Sequence, residues 1–333
     1  MVTMADVARV AGVSLTTVSH VVNGTRPTSP RTAERVRAAI ERTGYSPNTI
    51  ARALARARTQ SIGLAISGLG NPYFSDVIAA VEARAGRAGH TVLLGDTHDD
   101  PEQELRIVRA LVERRVDGLL LSPSPAASEH ALRYLAAQEL PVVLLDRFLP
   151  VGLDQVGSEN ERPTAQLVEH LAGLGHRRIA LVAGLAGVST TDERVRGFRL
   201  GLARSGLPED GALVVDGGSR PDLARAAALR LLELPEPPTA IVSANNVMTI
   251  GVLRALTERS LRVPRDVALV AFDDFEWADL FAPRLTVVRQ PTAQLGERAV
   301  ELMLSRLEAP GAPARTVRLD ATFVHRESCG CAP

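Results

Sequence analysis

The chain has 333 residues, room for two or three domains of about 150 residues, and its 45% hydrophobic and 23% charged content supports a sizeable core and excludes disordered, collagen-like or mucin-like chains. All 38 basic residues are arginine, which rules out Walker-A phosphate loops, protein-kinase catalysis and lysine Schiff bases. The net charge of zero hides an asymmetry: residues 1–58 carry nine arginines against Asp6, Glu34 and Glu41, a basic head on an acidic body, and such a head suits a polyanion because each neutralised phosphate releases counterions.

The head reads as short helices. Met4, Val7, Ala8 and Ala11 share one face at i, i+3, i+4, i+7, and Gly12 ends that helix. Ser14 caps a second helix that buries Val18, Val21 and Val22, while Leu15, Thr16, Ser19 and His20 point elsewhere and Thr17 can turn inward. Ser29-Pro30 starts a third helix that runs to Gly44 with Ala33, Val36 and Ile40 at core spacing. Two helices joined by a glycine turn and braced by a third make helix-turn-helix geometry. The solvent side of the second helix carries small polar groups and His20, able to approach base edges in a major groove, with Arg26 in the following loop. Ser46-Pro47 then opens a helix of about ten residues, 48–57, too short to be stable in water unless something packs on it.

From Thr59 the pattern alternates between strands and helices. Ser61–Ser67, Thr91–Gly95, Asp117–Ser122, Pro141–Asp146, Arg178–Ala183, Thr239–Ala244 and Val267–Phe272 are aliphatic runs, each followed by a segment of helical period. This predicts an α/β fold of two doubly wound parallel sheets, with ligands bound beyond the carboxyl ends of the strands.

These residues carry a family resemblance. Asp6-Val7-Ala8, Ala11-Gly12-Val13-Ser14, Thr17-Val18-Ser19 and Val22-Asn23, followed by Tyr45-x-Pro47-Asn48 and Ala51-Arg52-x-Leu54, resemble the N-terminal signature of the lactose-repressor/galactose-repressor family of bacterial transcription regulators. The likeness continues through Asn71-Pro72-Tyr73-Phe74, Val116-Asp117-Gly118, Gly175-His176-x-x-Ile179, Arg194-x-x-Gly197-Phe198 and Leu285-Thr286-x-Val288-x-Gln290-Pro291. It implies a helix-turn-helix domain over 1–45, a hinge helix over 46–58 and a periplasmic-binding-protein-like body over 59–333, its lobes about 59–160 plus 291–321 and 161–290 plus 322–333. The implied partners are a second copy of the chain, pseudo-palindromic operator DNA with a central CG step, and a small-molecule effector, a sugar before a nucleobase or nucleoside.

The DNA-contacting set implied is Ser14, Leu15, Thr16, Thr17, Ser19, His20, Asn23, Arg26, Tyr45, Asn48, Ala51, Arg52, Leu54 and Ala55. Leu54 is the hinge residue pushed into the minor groove, where an apolar wedge kinks the duplex. Effector contacts are expected past the strand ends: Asn71, Tyr73, Phe74 and Asp76, then Ser122 and Ser124, then Asp146 and Arg147. Asn160 stands at the first of three crossovers, near 160, 290 and 321, and the second lobe adds Thr190, Arg194, Asn245, Asn246, Asp273, Asp274 and Trp277. Carboxylates, amides and arginine with a few aromatics suit a polyhydroxylated ligand. Asn246 and Ala271 depart from the family's usual Asp and Gly, which points to a cleft tuned to its own ligand.

Rival readings are weaker. Gly68-Leu69-Gly70 followed by Asp96 mimics a dinucleotide fingerprint, but Phe74 and Ser75 occupy the region of the third glycine. A secreted sugar-binding protein is disfavoured by the basic head and by a start, Met1 to Asp6, without a signal pattern, which places the chain in the cytoplasm with no membrane partner. Asp96-Thr97-His98-Asp99-Asp100 reads as a solvated cluster opening the Pro101 helix, and His170 and His176 as surface or capping residues. Cys329 and Cys331 read as exposed, reduced tail thiols, so no metal, cofactor or enzymatic chemistry is expected.

Overall fold

The computed structural model describes residues 2–23, 26–45, 59–125 and 128–331. The chain divides into two units, Met1–Gln60 and Ser61–Pro333. In the first, α1 (Met4–Ala11), α2 (Leu15–Asn23) and α3 (Pro30–Thr43) stand where the periodicity predicts them. A capping box opens α1: the Thr3 side chain accepts from the Asp6 N–H while the Asp6 carboxylate accepts from the Thr3 N–H at 3.0 Å. Gly12 ends α1 at φ 63°, and Arg35 reaches from α3 to the Ala11 carbonyl at 2.6 Å. A Cβ at position 12 would lie 2.8 Å from Arg35 Nη2, so the turn and its brace both require glycine.

The core of this unit is Val7, Ala8, Ala11, Val18, Val36, Ala39 and Tyr45. Ala39, rather than the predicted Ala33, is the covered alanine of α3. Both lie three residues from Val36, and packing against α1 and α2 decides which is buried.

The second unit holds two lobes. The first begins with β1 (Ser61–Ile66), α4 (Pro72–Arg87), β2 (Thr91–Asp96), α5 (Pro101–Glu113), β3 (Gly118–Leu121), α6 (Ser128–Ala137), β4 (Val142–Leu145) and β5 (Asp154–Ser158). The second comprises α7 (Glu161–Gly173), β6 (Ile179–Ala183), α8 (Ser189–Arg204), β7 (Val214–Asp216), α9 (Pro221–Leu232), β8 (Ala240–Ser243), α10 (Asn246–Glu258), β9 (Ala268–Phe272) and β10 (Thr286–Arg289). The chain then returns to the first lobe as α11 (Thr292–Glu308) and β11 (Thr316–Leu319) and finishes on the second as β12 (Thr322–Val324).

The sheet orders are β11-β5-β4-β3-β1-β2 and β12-β10-β9-β8-β6-β7, one topology used twice. The aliphatic strands β1, β3, β4, β6, β8 and β9 are buried along their whole length, as parallel sheets covered on both faces require. On α11, Gly296 lets the helix seat against α4: a Cβ there would meet Ala80 Cβ at 2.6 Å. Both sheets are parallel as predicted except at one edge, where β12 pairs antiparallel with β10, with Val288 opposite Phe323. The strands end at the cleft, so a strand that enters the second sheet directly from the end of β11 must run against its neighbours.

Candidate functional site

On the first unit, Ser14 caps α2, its Oγ accepting from the Thr17 N–H at 3.1 Å and lying 2.8 Å from Thr17 Oγ1. That bond draws Thr17 inward, half buried, while Leu15 at 53% exposure and Thr16 stand in solvent. Ser19 and His20 are half buried further along α2, Asn23 is its last residue, and Arg26 is exposed beyond it. Arg9, Arg26, Arg31, Arg35, Arg37 and Arg42 are all exposed. Tyr45, also among the expected DNA contacts, is only 8% exposed and belongs to the core of the unit, where the apolar ring is better covered than wet. Asn48, Ala51, Arg52, Leu54 and Ala55 of the expected hinge lie outside the described residues.

In the second unit a cavity of about 240 Å³ lies between the lobes. One wall comes from Ser67 after β1, Asn71, Tyr73 and Phe74 at the start of α4, Asp99 ahead of α5, and Asp146 and Arg147 after β4. The other comes from Thr190, Thr191 and Arg194 on α8, Ser219 before α9, Asn245 after β8, Asp273 after β9, and Gln290 at the second crossover. Asn71 and Asn245 also cap α4 and α10, accepting from Tyr73 N–H at 3.0 Å and Met248 N–H at 2.8 Å.

Asp146 and Asp273 occupy the same place in the two lobes, each directly after the fourth strand of its sheet and each at φ 72°. Neither caps a helix. Asp146 accepts from Tyr73 Oη at 2.5 Å, and Asp273 accepts from Gln290 Nε2 at 2.5 Å. Burial pushes both carboxyls above the usual carboxylate range, opposed by Arg147 and then the Tyr73 bond at Asp146, and by Arg194 and the Gln290 bond at Asp273. Burial, with the Asp146 carboxylate, also holds the Tyr73 phenol well above its ordinary value. Tyr73 therefore stays a neutral donor.

Two guanidinium groups complement the carboxylates. Arg194 donates from Nε to Asn160 Oδ1 at 2.9 Å and from Nη1 to the Ala244 carbonyl at 2.6 Å, and its plane lies 3.8 Å over the Phe272 ring. Arg147 is paired with Asp99 and donates to the Pro123 carbonyl at 2.9 Å. Asp99 is thus not part of a solvated cluster. His98 and Asp99 both sit at φ 54°, a turn that aims the Asp99 carboxylate at Arg147, while only Asp100 caps α5 as predicted.

The predicted effector residues divide. Asn71, Tyr73, Phe74, Asp146, Arg147, Thr190, Arg194, Asn245 and Asp273 come together on the cavity wall. Ser122 and Ser124 are buried behind it, the Ser124 N–H held by Glu104 at 2.5 Å, and Asn160 is fully buried beneath Arg194. Asn246 is buried with both amide atoms unpartnered and does not line the cavity. Asp76 is exposed outside it. Asp274 faces away and pairs with Arg289 and Arg326. Trp277 is carried out of the cleft by the turn 276–279, 40% exposed and packed 4.5 Å from the Phe275 ring. Ser67, Asp99, Thr191, Ser219 and Gln290 are the polar wall residues that the sequence reading missed; Ser67 and Asp99 lie at or just past the ends of predicted strands, the one signal that could have found them.

The tail also differs from expectation. Cys329 is fully buried and Cys331 half buried, and both lie beside His170 of α7 and His325 after β12. His170 is accordingly no mere surface residue, and His176 is half buried with its ring 2.9 Å from Thr239 Oγ1. Strand β12 places the tail against α7, a contact that no local pattern announces.

Residues 3–48 match the model of bacterial regulatory proteins, lacI family, and residues 168–329 that of the periplasmic binding protein-like domain. The chain is 32% identical over 330 residues to the HTH-type transcriptional repressor PurR of Vibrio atlanticus, covering 98% of each, and 34% identical over 307 residues to that of Haemophilus influenzae strain PittEE, covering 92% of this chain and 91% of the relative. Among solved structures it is similar to the lac repressor dimer bound to operator and the anti-inducer ONPF, with 31% identity, a TM-score of 0.89 and coverage of 98% and 99%. It is also similar to the transcriptional regulator CelR–cellobiose complex, with 30% identity, a TM-score of 0.75 and coverage of 98% and 100%.

Proposed function

The chain belongs to the lacI family of bacterial regulatory proteins, a DNA-binding transcriptional repressor and not an enzyme, and we propose that its inter-lobe cleft takes a sugar or sugar derivative that sets its grip on operator DNA. The observation that carries this is the juxtaposition of Asp146 and Asp273, one buried carboxylate from each lobe, on the two walls of a single cavity. Carboxylates accept from adjacent hydroxyl pairs, Arg147 and Arg194 donate to ring or hydroxyl oxygens, and Phe74 offers an apolar face. A cavity of about 240 Å³ suits a ligand of monosaccharide size.

On this reading the protein works in the cytoplasm as a homodimer on a pseudo-palindromic operator, each half-site read by Leu15, Thr16, Ser19 and His20 of one α2, with Arg26 on the phosphates. Residues 1–45 form the reading domain, 46–58 the hinge and 59–333 the effector body, and Leu54 of paired hinges wedges the minor groove. A ligand that prefers one arrangement of the lobes changes hinge spacing, a coupling of about 1–3 kcal/mol that must be reciprocal between the two sites. Full-length similarity to PurR repressors favours a second reading, a nucleobase ligand. A thermal-shift panel of sugars, nucleosides and nucleobases, followed by titration of operator binding with each hit, separates the two. Stabilisation by nucleobases alone overturns the sugar assignment.

A further inference from the structure

The side-chain cluster at the end of the chain has no part in the cleft or in the DNA-reading surface. His170 stands in the last turn of α7, His325 directly follows β12, and Cys329 and Cys331 close the described tail. Their ligand atoms all lie within 4.8 Å of one another. Cys329 Sγ is 3.4 Å from His325 Nε2, and Cys331 Sγ is 3.6 Å from His170 Nε2. In a tetrahedral site with metal–sulfur bonds of about 2.3 Å and metal–nitrogen bonds of about 2.0 Å, such sulfur–nitrogen edges are about 3.5 Å.

The surroundings hold these groups in place before any ion arrives. Ser328, next to Cys329, donates from Oγ to the Leu269 carbonyl at 2.5 Å and accepts from the Thr286 N–H at 2.8 Å, which pins the tail across β9 and β10. The Leu269 N–H donates in return to the Ser328 carbonyl at 2.9 Å. Phe323 lies 5.2 Å from the His170 ring and stacks on His325, limiting the movement of both imidazoles. Gly330 at φ 90° turns the chain between the two cysteines so that both sulfurs meet the histidines.

We propose that His170, His325, Cys329 and Cys331 form a tetrahedral site for a borderline-soft divalent cation of the zinc class. Two thiolates and two neutral imidazoles are the donor set such ions prefer, and the thiolates cancel the ion's charge, which matters where Cys329 is fully buried. All four donors belong to the second lobe. The ion therefore acts as a staple that fastens the tail after β12 to α7, not as a catalytic centre.

The test uses the full-length reduced protein, stripped with chelator and titrated with Co2+. The expected result is one equivalent bound per chain, with sulfur-to-cobalt charge-transfer absorption and the red-region bands of a tetrahedral ion, bleached by Zn2+. Cys331→Ser and His325→Gln, at half-buried and exposed positions, are expected to keep the fold and each to weaken Co2+ binding by about tenfold or more. Zn2+ should raise the melting temperature of the parent and not of Cys331→Ser. No uptake by the reduced protein, or uptake unchanged in either variant, overturns the site.

Discussion

Arg194 Nε donates to Asn160 Oδ1 at 2.9 Å, tying a cavity-wall side chain to the first crossover between the lobes. Asn160 Nδ2 donates onward to Glu193 at 2.9 Å, and Glu193 accepts from Arg318 of β11, on the other lobe, at 2.6 Å. Arg318 also lies 4.0 Å over the Phe148 ring. A ligand that draws on Arg194 therefore pulls on a bonded chain that spans the lobe boundary. Asn160→Ala leaves Arg194 Nε and a Glu193 oxygen without partners at a buried site, each costing about 1–3 kcal/mol. The expected outcome is effector affinity lowered by about tenfold together with a smaller effect of effector on operator affinity. Effector titrations with and without operator measure both, and unchanged coupling would remove the crossover from the mechanism.

Arg194→Ala and Asp273→Asn should each cost about 1.5–3 kcal/mol of effector binding, the range for hydrogen bonds to charged groups. Neither residue belongs to the helix-turn-helix unit, so operator affinity without effector should stay within about twofold. Calorimetry with the screened ligand and operator binding by fluorescence anisotropy report the two quantities separately.

Acidity provides a third check. Burial raises the folded pKa of Asp146 and Asp273, whereas an unfolded Asp titrates near about 3.9. Between the unfolded and folded values the folded chain holds more protons, so ligand-free stability falls as pH rises through that window and levels off above it. Asp273→Asn removes one such group and should lose less stability than the parent from about pH 4 to pH 7. Denaturant unfolding across that range measures the difference. A ligand hydroxyl that donates to the carboxylate favours its charged form, so effector binding should weaken on acidification.

For the DNA side, the six exposed arginines among the described residues of the first unit imply operator binding that falls steeply with salt, and flat salt dependence would sink the polyanion reading. Leu54→Ala should cost a few kcal/mol of operator affinity while leaving effector binding as it was.

Ser14→Ala deletes the cap that accepts from the Thr17 N–H. The expected loss is about 1 kcal/mol in the stability of the helix-turn-helix unit. Chemical denaturation followed by far-ultraviolet dichroism should resolve it from the body, whose transition should not move.

Much of this architecture was legible in one dimension because it rests on short-range rules. Val7, Ala8, Ala11 and Val18 announce their helices by spacing, Gly12 and Gly44 their ends, and the aliphatic runs their strands. The strands outside those runs, β5, β7, β10, β11 and β12, are short or at least partly polar, and lie where neighbouring strands rather than their own composition make them extended. The rule that ligands bind past strand ends picked out Asp146, Arg147, Asn245 and Asp273, because a parallel sheet leaves its loops on one edge.

What the linear order could not decide was which loops face each other and which way each turns. Asp99 meets Arg147 across 48 residues, Gln290 meets Asp273 only because the second crossover passes the cleft, and Trp277 leaves it on a single short turn. Tyr45 goes into a core, and His170 comes to Cys331, 161 positions further along the chain. Helix and strand periodicity is set by neighbours three, four or two residues away and is written in the sequence. The convergence of distant charges and thiols is set by sheet order and packing, and exists only once the lobes have closed around their cores.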